Sequence, residues 1–195
     1  VWLTAMKAPD PQTKKSDRRN IPVDQAEGLT RDQLERVLAA IDTTTQIGAR
    51  DAALLAVAYD LMGRRSEVVA LDRPDVRVQD DLSMGIAVIR RSKTDQAGQG
   101  RELFLRADTC ARLVHWLAIA GIDDDGPIFR SLRGFAGRGK APPRLRLPAA
   151  ELSAIIRRRV RAAGVFDVAV LGVAEVDRRI ARFSGHSLRV GAAQD

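Results

Sequence analysis

Apolar residues at Leu34, Val37, Leu38 and Ile41 fall at i, i+3, i+4 and i+7, which predicts one buried face of a helix. Just ahead of them, Thr30-Arg31-Asp32-Gln33 has the capping-box pattern, in which a hydroxyl and an amide side chain satisfy free N–H groups at the helix start. Arg50 to Met62 is apolar on almost every side, so a second helix there is expected at the centre of the core. Ser66 to Leu71 reads as a short helical segment. The period then changes. Asp75 to Val78, Met84 to Arg90 and Arg101 to Leu105 look extended, the second through Ile86 and Val88 alternating with Ala87 and Ile89. The polar stretch Ser92 to Gly100 between the last two reads as a mobile hairpin tip.

Asp108 is expected to cap a further helix with Cys110, Leu113, Val114 and Leu117 turned inward, ended by Gly121. Residues 130–147 hold Arg130, Arg133, Arg138, Lys140, Arg144 and Arg146 among Gly and Pro, a basic loop. Pro148 opens a helix whose core stripe is Leu152, Ile155, Ile156 and Val160, with Arg157, Arg158, Arg159 and Arg161 around it. Residues 165–174 are apolar but short and take no assignment. Glu175 to Arg182 reads as one more helix. The fold class expected is mainly α with a small three-stranded antiparallel β-sheet. Residues 1–28, with Pro9, Pro11, Pro22 and the cations Lys14, Lys15, Arg18 and Arg19, read as a basic linker or the remnant of a preceding domain. The domain proper is 29–195.

Composition narrows the class. Lys and Arg number 32 against 25 acids, a net charge of +7, which favours a polyanionic partner. One cysteine, Cys110, excludes an internal disulfide and a Cys-rich zinc site, and it reads as a buried structural thiol. Two His residues far apart in sequence, His115 and His186, argue against a structural metal, and His115 beside Trp116 reads as structural. No apolar run reaches membrane-spanning length, and the N-terminus lacks the apolar stretch of a signal peptide, so a cytoplasmic location is expected. The chain does not begin with Met, as expected for a piece of something longer.

Three basic pieces remain. Gly63-Arg64-Arg65-Ser66-Glu67-Val68 follows the apolar helix. Arg91-Ser92-Lys93-Thr94-Asp95 lies between strand-like runs. Ser184-Gly185-His186-Ser187-Leu188-Arg189 lies near the end. Read alone, each has a plain structural explanation: Arg64 capping a helix C-terminus and pairing with Glu67, a solvated Lys93, a helix-capping His186 with a surface Arg189. A helix starting near Ser187 would place Arg189 in its first turn, where free N–H groups also attract anions. Two guanidiniums suit a phosphate, because each offers a planar, permanently charged fork. A Lys of lowered pKa can act as an acid, and a His can take a proton.

In this order, Arg, Lys and His-x-x-Arg resemble the tyrosine recombinase (phage integrase) family, most closely its Cre-like members. The resemblance covers about residues 29–195. It implies the catalytic-domain fold of that family, C-terminally incomplete. It further implies that Arg64 and Arg189 bind the scissile phosphate of double-stranded DNA, that Lys93 reaches the minor groove and protonates the leaving 5′ oxygen, and that His186 assists proton transfer. Glu67 would support the site by holding its neighbours. The usual pattern has Gly two residues before the Arg; here Met62 holds that position, and Arg65 stands where an apolar residue is usual. The family needs no metal or other cofactor and works as a tetramer on two DNA sites. Its nucleophilic Tyr follows the His-x-x-Arg, and this sequence stops first. Tyr59, its only tyrosine, lies in the buried helix ahead of Arg64 and is not expected to be the nucleophile. The expected function is site-specific recombination through a 3′-phosphotyrosyl intermediate, with this chain inactive alone. The alternative is a non-catalytic DNA-binding remnant or regulator of recombination.

Overall fold

The Thr30 hydroxyl accepts from the Gln33 N–H, and the Gln33 side chain accepts from the Thr30 N–H, closing the box that starts helix α1 (Arg31–Ala39). In the computed structural model, residues 26–90, 100–134 and 142–195 are described. Lys93, the rest of the supposed hairpin tip up to residue 99, Arg138, Lys140 and the basic stretch 1–25 lie outside them. Helix α2 (Gln46–Leu61) begins four residues before the sequence suggests, because Thr45 caps it through a bond from the Gly48 N–H. From Gly48 to Tyr59 it is buried all round and forms the axis of the core. Helix α3 (Arg65–Val69) and a single 3-10 turn at Arg73–Asp75 lead to the sheet.

Strands β1 (Val76–Val78), β2 (Met84–Ile89) and β3 (Arg101–Arg106) pair antiparallel in the order β1-β2-β3. Gly85, Ala87 and Ile89 of β2 are buried, while Ile86 and Val88 on the opposite face are only half-buried. Small residues on the inner face let the sheet approach the helices. A Cβ at Gly85 would stand 2.9 Å from the Cys110 sulfur, and Cys110 is fully buried, as expected of a structural thiol.

Helix α4 (Ala107–Ala120) packs on α2 and ends at Gly121 with φ 60°. Its N-cap is Arg106; Asp108 lies inside the first turn instead. Val114 is exposed rather than inward, because Trp116 takes the core position beside Leu113 and donates from Nε1 to the Ile128 carbonyl at 2.9 Å. The segment read as a basic loop is partly structural. Arg130 is buried, with Nη2 2.7 Å from both Asp124 oxygens and further bonds to the Pro127 and Pro142 carbonyls. Arg144 also pairs with Asp124, and these two guanidiniums hold that carboxyl well below the usual range, Arg144 most strongly. Arg146 bonds the Val69 carbonyl and Asp72, so it ties this segment to α3.

Pro148 opens a turn, and helix α5 (Glu151–Ala162) follows with Leu152, Ile155, Ile156 and Val160 buried as the pattern predicts. The unassigned stretch forms a four-residue helix, α6 (Val168–Leu171), with Val168 and Val170 exposed. Helix α7 (Val173–Arg182) and helix α8 (Ser187–Ala192) complete the described chain. Asp51 of α2 is fully buried and binds Arg50, Arg158 and Arg159; the last two come from α5 at 2.7 and 2.8 Å.

Two stability measurements follow. Asp51→Asn leaves the buried Arg50 without its counter-charge and should cost about 3–5 kcal/mol in urea unfolding. Met62, the C-cap of α2, adopts φ 44° and ψ 30°, a left-handed conformation that side chains disfavour. It is 47% exposed, so little packing is lost on its removal. Met62→Gly should therefore raise the unfolding free energy by about 1 kcal/mol.

Candidate active site

The left-handed turn at Met62 reverses the chain as it leaves α2 and delivers Arg64 to the N-cap of α3. Arg64 therefore starts one helix rather than capping the end of another. The Glu67 carboxylate fixes it twice: Oε2 accepts from the Arg64 backbone N–H at 2.9 Å, and Oε1 accepts from Nη1 at 2.8 Å. Glu67 is 6% exposed and also lies 3.8 Å from Arg101 Nη2, at the start of β3. This is more than a surface ion pair, since the same carboxylate sets both the backbone and the fork of Arg64.

The second piece is the bend between α7 and α8. The Ser184 N–H donates to Ser187 Oγ, and the His186 N–H donates to Ser184 Oγ, so the bend is closed locally. Helix α5 holds it from behind: the Gly185 N–H donates to Ser153 Oγ at 3.1 Å, and Arg157 Nη1 donates to the Phe183 carbonyl at 3.1 Å. From the other side, the Leu29 N–H donates to the Ser187 carbonyl at 3.0 Å. A Cβ at Gly191 would fall 1.7 Å from the Leu29 carbonyl oxygen, so only glycine fits where α8 meets this segment.

These two pieces face one another across a cleft of about 300 Å³ lined by Arg64, Arg65, Ser66, Ser184, Gly185, His186 and Arg189. Three of the residues singled out in the sequence, Arg64, His186 and Arg189, thus meet in one place, with Glu67 behind Arg64. His186 is exposed and Arg189 half-buried, and the side chains of both lack a hydrogen-bond or ion-pair partner among the described residues. The cleft is cationic and open, suited to a phosphate. Ser153 and Arg157 were missed as supports of the site. Their only signal is i, i+4 spacing on the polar edge of the α5 stripe. His115 is exposed, with Nε2 2.8 Å from the Thr43 carbonyl oxygen, and takes no part in the cleft.

Tyr59 is 5% exposed, and its hydroxyl donates to the Asp195 carboxylate. Burial first, then that hydrogen bond and the carboxylate charge, push the phenol well above its ordinary value.

The phage integrase family model matches residues 27–195, and the chain belongs to that family. No curated protein sequence matches it. Among solved structures it is similar to the XerA recombinase (TM-score 0.59, 19% identity, 88% of this chain and 49% of that one). It is also similar to the XerH site-specific recombinase bound to difH substrate in a pre-cleavage complex (TM-score 0.57, 18% identity, 89% of this chain and 44% of that one). The XerH post-cleavage complex with a palindromic difH substrate gives TM-score 0.57 at 19% identity, over 86% of this chain and 41% of that one. These matches establish the fold as that of the recombinase catalytic domain, mainly helical with a three-stranded antiparallel sheet. The chain spans less than half the length of those proteins.

Because Tyr59 is the sole tyrosine, its ionisation can be followed by ultraviolet difference spectroscopy. A raised folded value means the stability it contributes is complete below about pH 10 and declines as pH rises above it. Tyrosinate should appear well above pH 10 or only with unfolding, and Tyr59→Phe should remove that alkaline slope. Ordinary titration near pH 10 in the folded protein would refute the buried hydrogen bond.

Proposed function

We propose that this chain is the phosphate-binding part of a site-specific DNA recombinase that breaks and rejoins strands through a 3′-phosphotyrosyl intermediate. The observation that carries the reading is the cleft itself, which gathers Arg64, His186 and Arg189 from distant parts of a family member's sequence. A tyrosine oxygen would attack the scissile phosphorus, forming the phosphotyrosyl ester while the bond to the 5′ oxygen breaks. Arg64 and Arg189 would neutralise the charge that builds on the non-bridging oxygens. Lys93 would give its proton to the leaving 5′ oxygen, and His186 would help take the proton of the attacking hydroxyl. Attack by the 5′ hydroxyl of a partner strand reverses the step and conserves the bond energy. Tyr59 is buried and bonded, so the nucleophile is a tyrosine that these 195 residues do not supply.

The XerH neighbours are seen with difH substrate, which supports duplex DNA as the partner here. A second reading is a non-catalytic DNA-binding unit, favoured by the same cleft taken together with the burial of Tyr59. The two diverge in a polypeptide that supplies the missing tyrosine. Under the first reading it cleaves, and Arg189→Ala or Lys93→Ala abolishes cleavage. Under the second it binds without cutting.

Binding can be measured on the chain alone by fluorescence anisotropy with a mixed-sequence duplex. Log affinity should fall linearly with log salt concentration, and Arg189→Ala should reduce the slope by about 0.9, one phosphate contact. Salt-independent binding, no binding, or a covalent adduct mapped to Tyr59 on a nicked duplex would each overturn the assignment.

A further inference from the structure

We infer that Arg65 is an additional contact of this site to the DNA backbone, on a phosphodiester neighbouring the one held by Arg64 and Arg189. The inference rests on the DNA-binding reading above. Nearly every described arginine is committed to a partner. Arg64 and Arg101 share Glu67, Arg90 pairs with Asp75, Arg106 with Asp60, Arg146 with Asp72, and Arg158 and Arg159 with Asp51. Among the described residues, only Arg65, Arg112 and Arg189 have guanidiniums without a hydrogen-bond or ion-pair partner. Two of these three line the same cleft.

Arg65 is exposed, so its guanidinium stays hydrated until an anion displaces that water. Its stem is nonetheless guided. It lies along Gly185, where an added Cβ would stand 3.0 Å from Arg65 Cβ, 3.5 Å from Cδ and 3.7 Å from Cγ. The missing side chain at Gly185 is therefore what leaves room for Arg65 on this wall. Arg64 is the extended N-cap of α3 and Arg65 its first helical residue, so their side chains leave the backbone from different conformations. With the Arg64 fork held by Glu67 and the Arg65 stem laid along Gly185, the two guanidiniums have different neighbours and can serve different oxygens. A planar, unpaired guanidinium at the lip of a phosphate cleft matches a DNA phosphate. A contact of this kind strengthens binding uniformly across sequences and adds to its salt dependence.

The test is the salt dependence of duplex binding by the chain carrying Arg65→Leu, Arg65→Lys or Arg189→Ala, beside the unaltered protein. Arg65→Leu should weaken binding and lower the slope by about 0.9, whereas Arg65→Lys should keep the slope. Circular dichroism and the thermal midpoint should be unchanged for both, since the side chain is exposed. If Arg189→Ala weakens binding and Arg65→Leu does not, the inference is overturned while the DNA-binding reading stands. If the unaltered chain shows no salt-dependent binding, that reading fails and takes this one with it. A bulkier Gly185→Val should copy Arg65→Leu by displacing the stem; normal slope in that variant with the fold intact would count against the guided placement.

Discussion

The arrangement depends first on Asp51. Its carboxylate has no exposed surface and accepts from Arg50, Arg158 and Arg159. Burying such a group is costly, and the attraction of its partners offsets that cost only when the geometry is held. That requirement makes the cluster a registration device between α2 and α5. The far end of α2 leads through the Met62 turn to Arg64. The opposite partner, α5, holds the Phe183 and Gly185 backbone from which His186 and α8 project. The two halves of the cleft come from distant parts of the chain, and one buried carboxylate sets the helices that carry them. Apolar packing alone would permit α5 to slide by small amounts; two α5 guanidiniums bonded to one α2 carboxylate do not.

Within the cleft the two matched guanidiniums are held differently. Arg64 is fixed by Glu67 through both its backbone and its side chain, so its fork is oriented before any ligand arrives. Arg189 has no partner among the described residues and is placed only through its helix. A fixed donor supplies preorganisation, since no reorientation is needed when charge develops. A freer donor can adjust to the position of whatever anion it meets. Glu67 also reaches toward Arg101 at the head of β3, and Arg90 at the end of β2 pairs with buried Asp75. The strand ends on either side of the Lys93 segment are thus anchored on buried carboxylates beside the site.

Much of this was legible where local chemistry decides the outcome. The Thr30 capping box, the all-apolar α2, the three short strands and the α5 stripe are written in spacing that survives tertiary context. The departure at Met62 was visible too, and the left-handed backbone found there is one that glycine adopts without strain. What was hidden depends on long-range partners. Arg130 and Arg146 look like solvated loop cations until Asp124, Asp72 and the Val69 carbonyl are brought to them. Val114 sits on the right face by count, yet Trp116 fills that part of the core. The α6 residues were illegible because four residues give no period to read, and their valines stay largely outside the core. For the site, Arg64, Glu67, His186 and Arg189 came from motif order, while Ser153 and Arg157 could not, since their role is to hold another segment's backbone.

Where α8 meets the start of the domain, main chain lies against main chain. With no side chain at Gly191, the Leu29 carbonyl sits directly on the helix, and the Leu29 N–H is bonded to Ser187. There is no flexible side chain between them to absorb a displacement. Mechanically, residue 29 and the helix bearing Arg189 are one lever: tension on the polypeptide ahead of Leu29 is delivered to that helix from main chain to main chain.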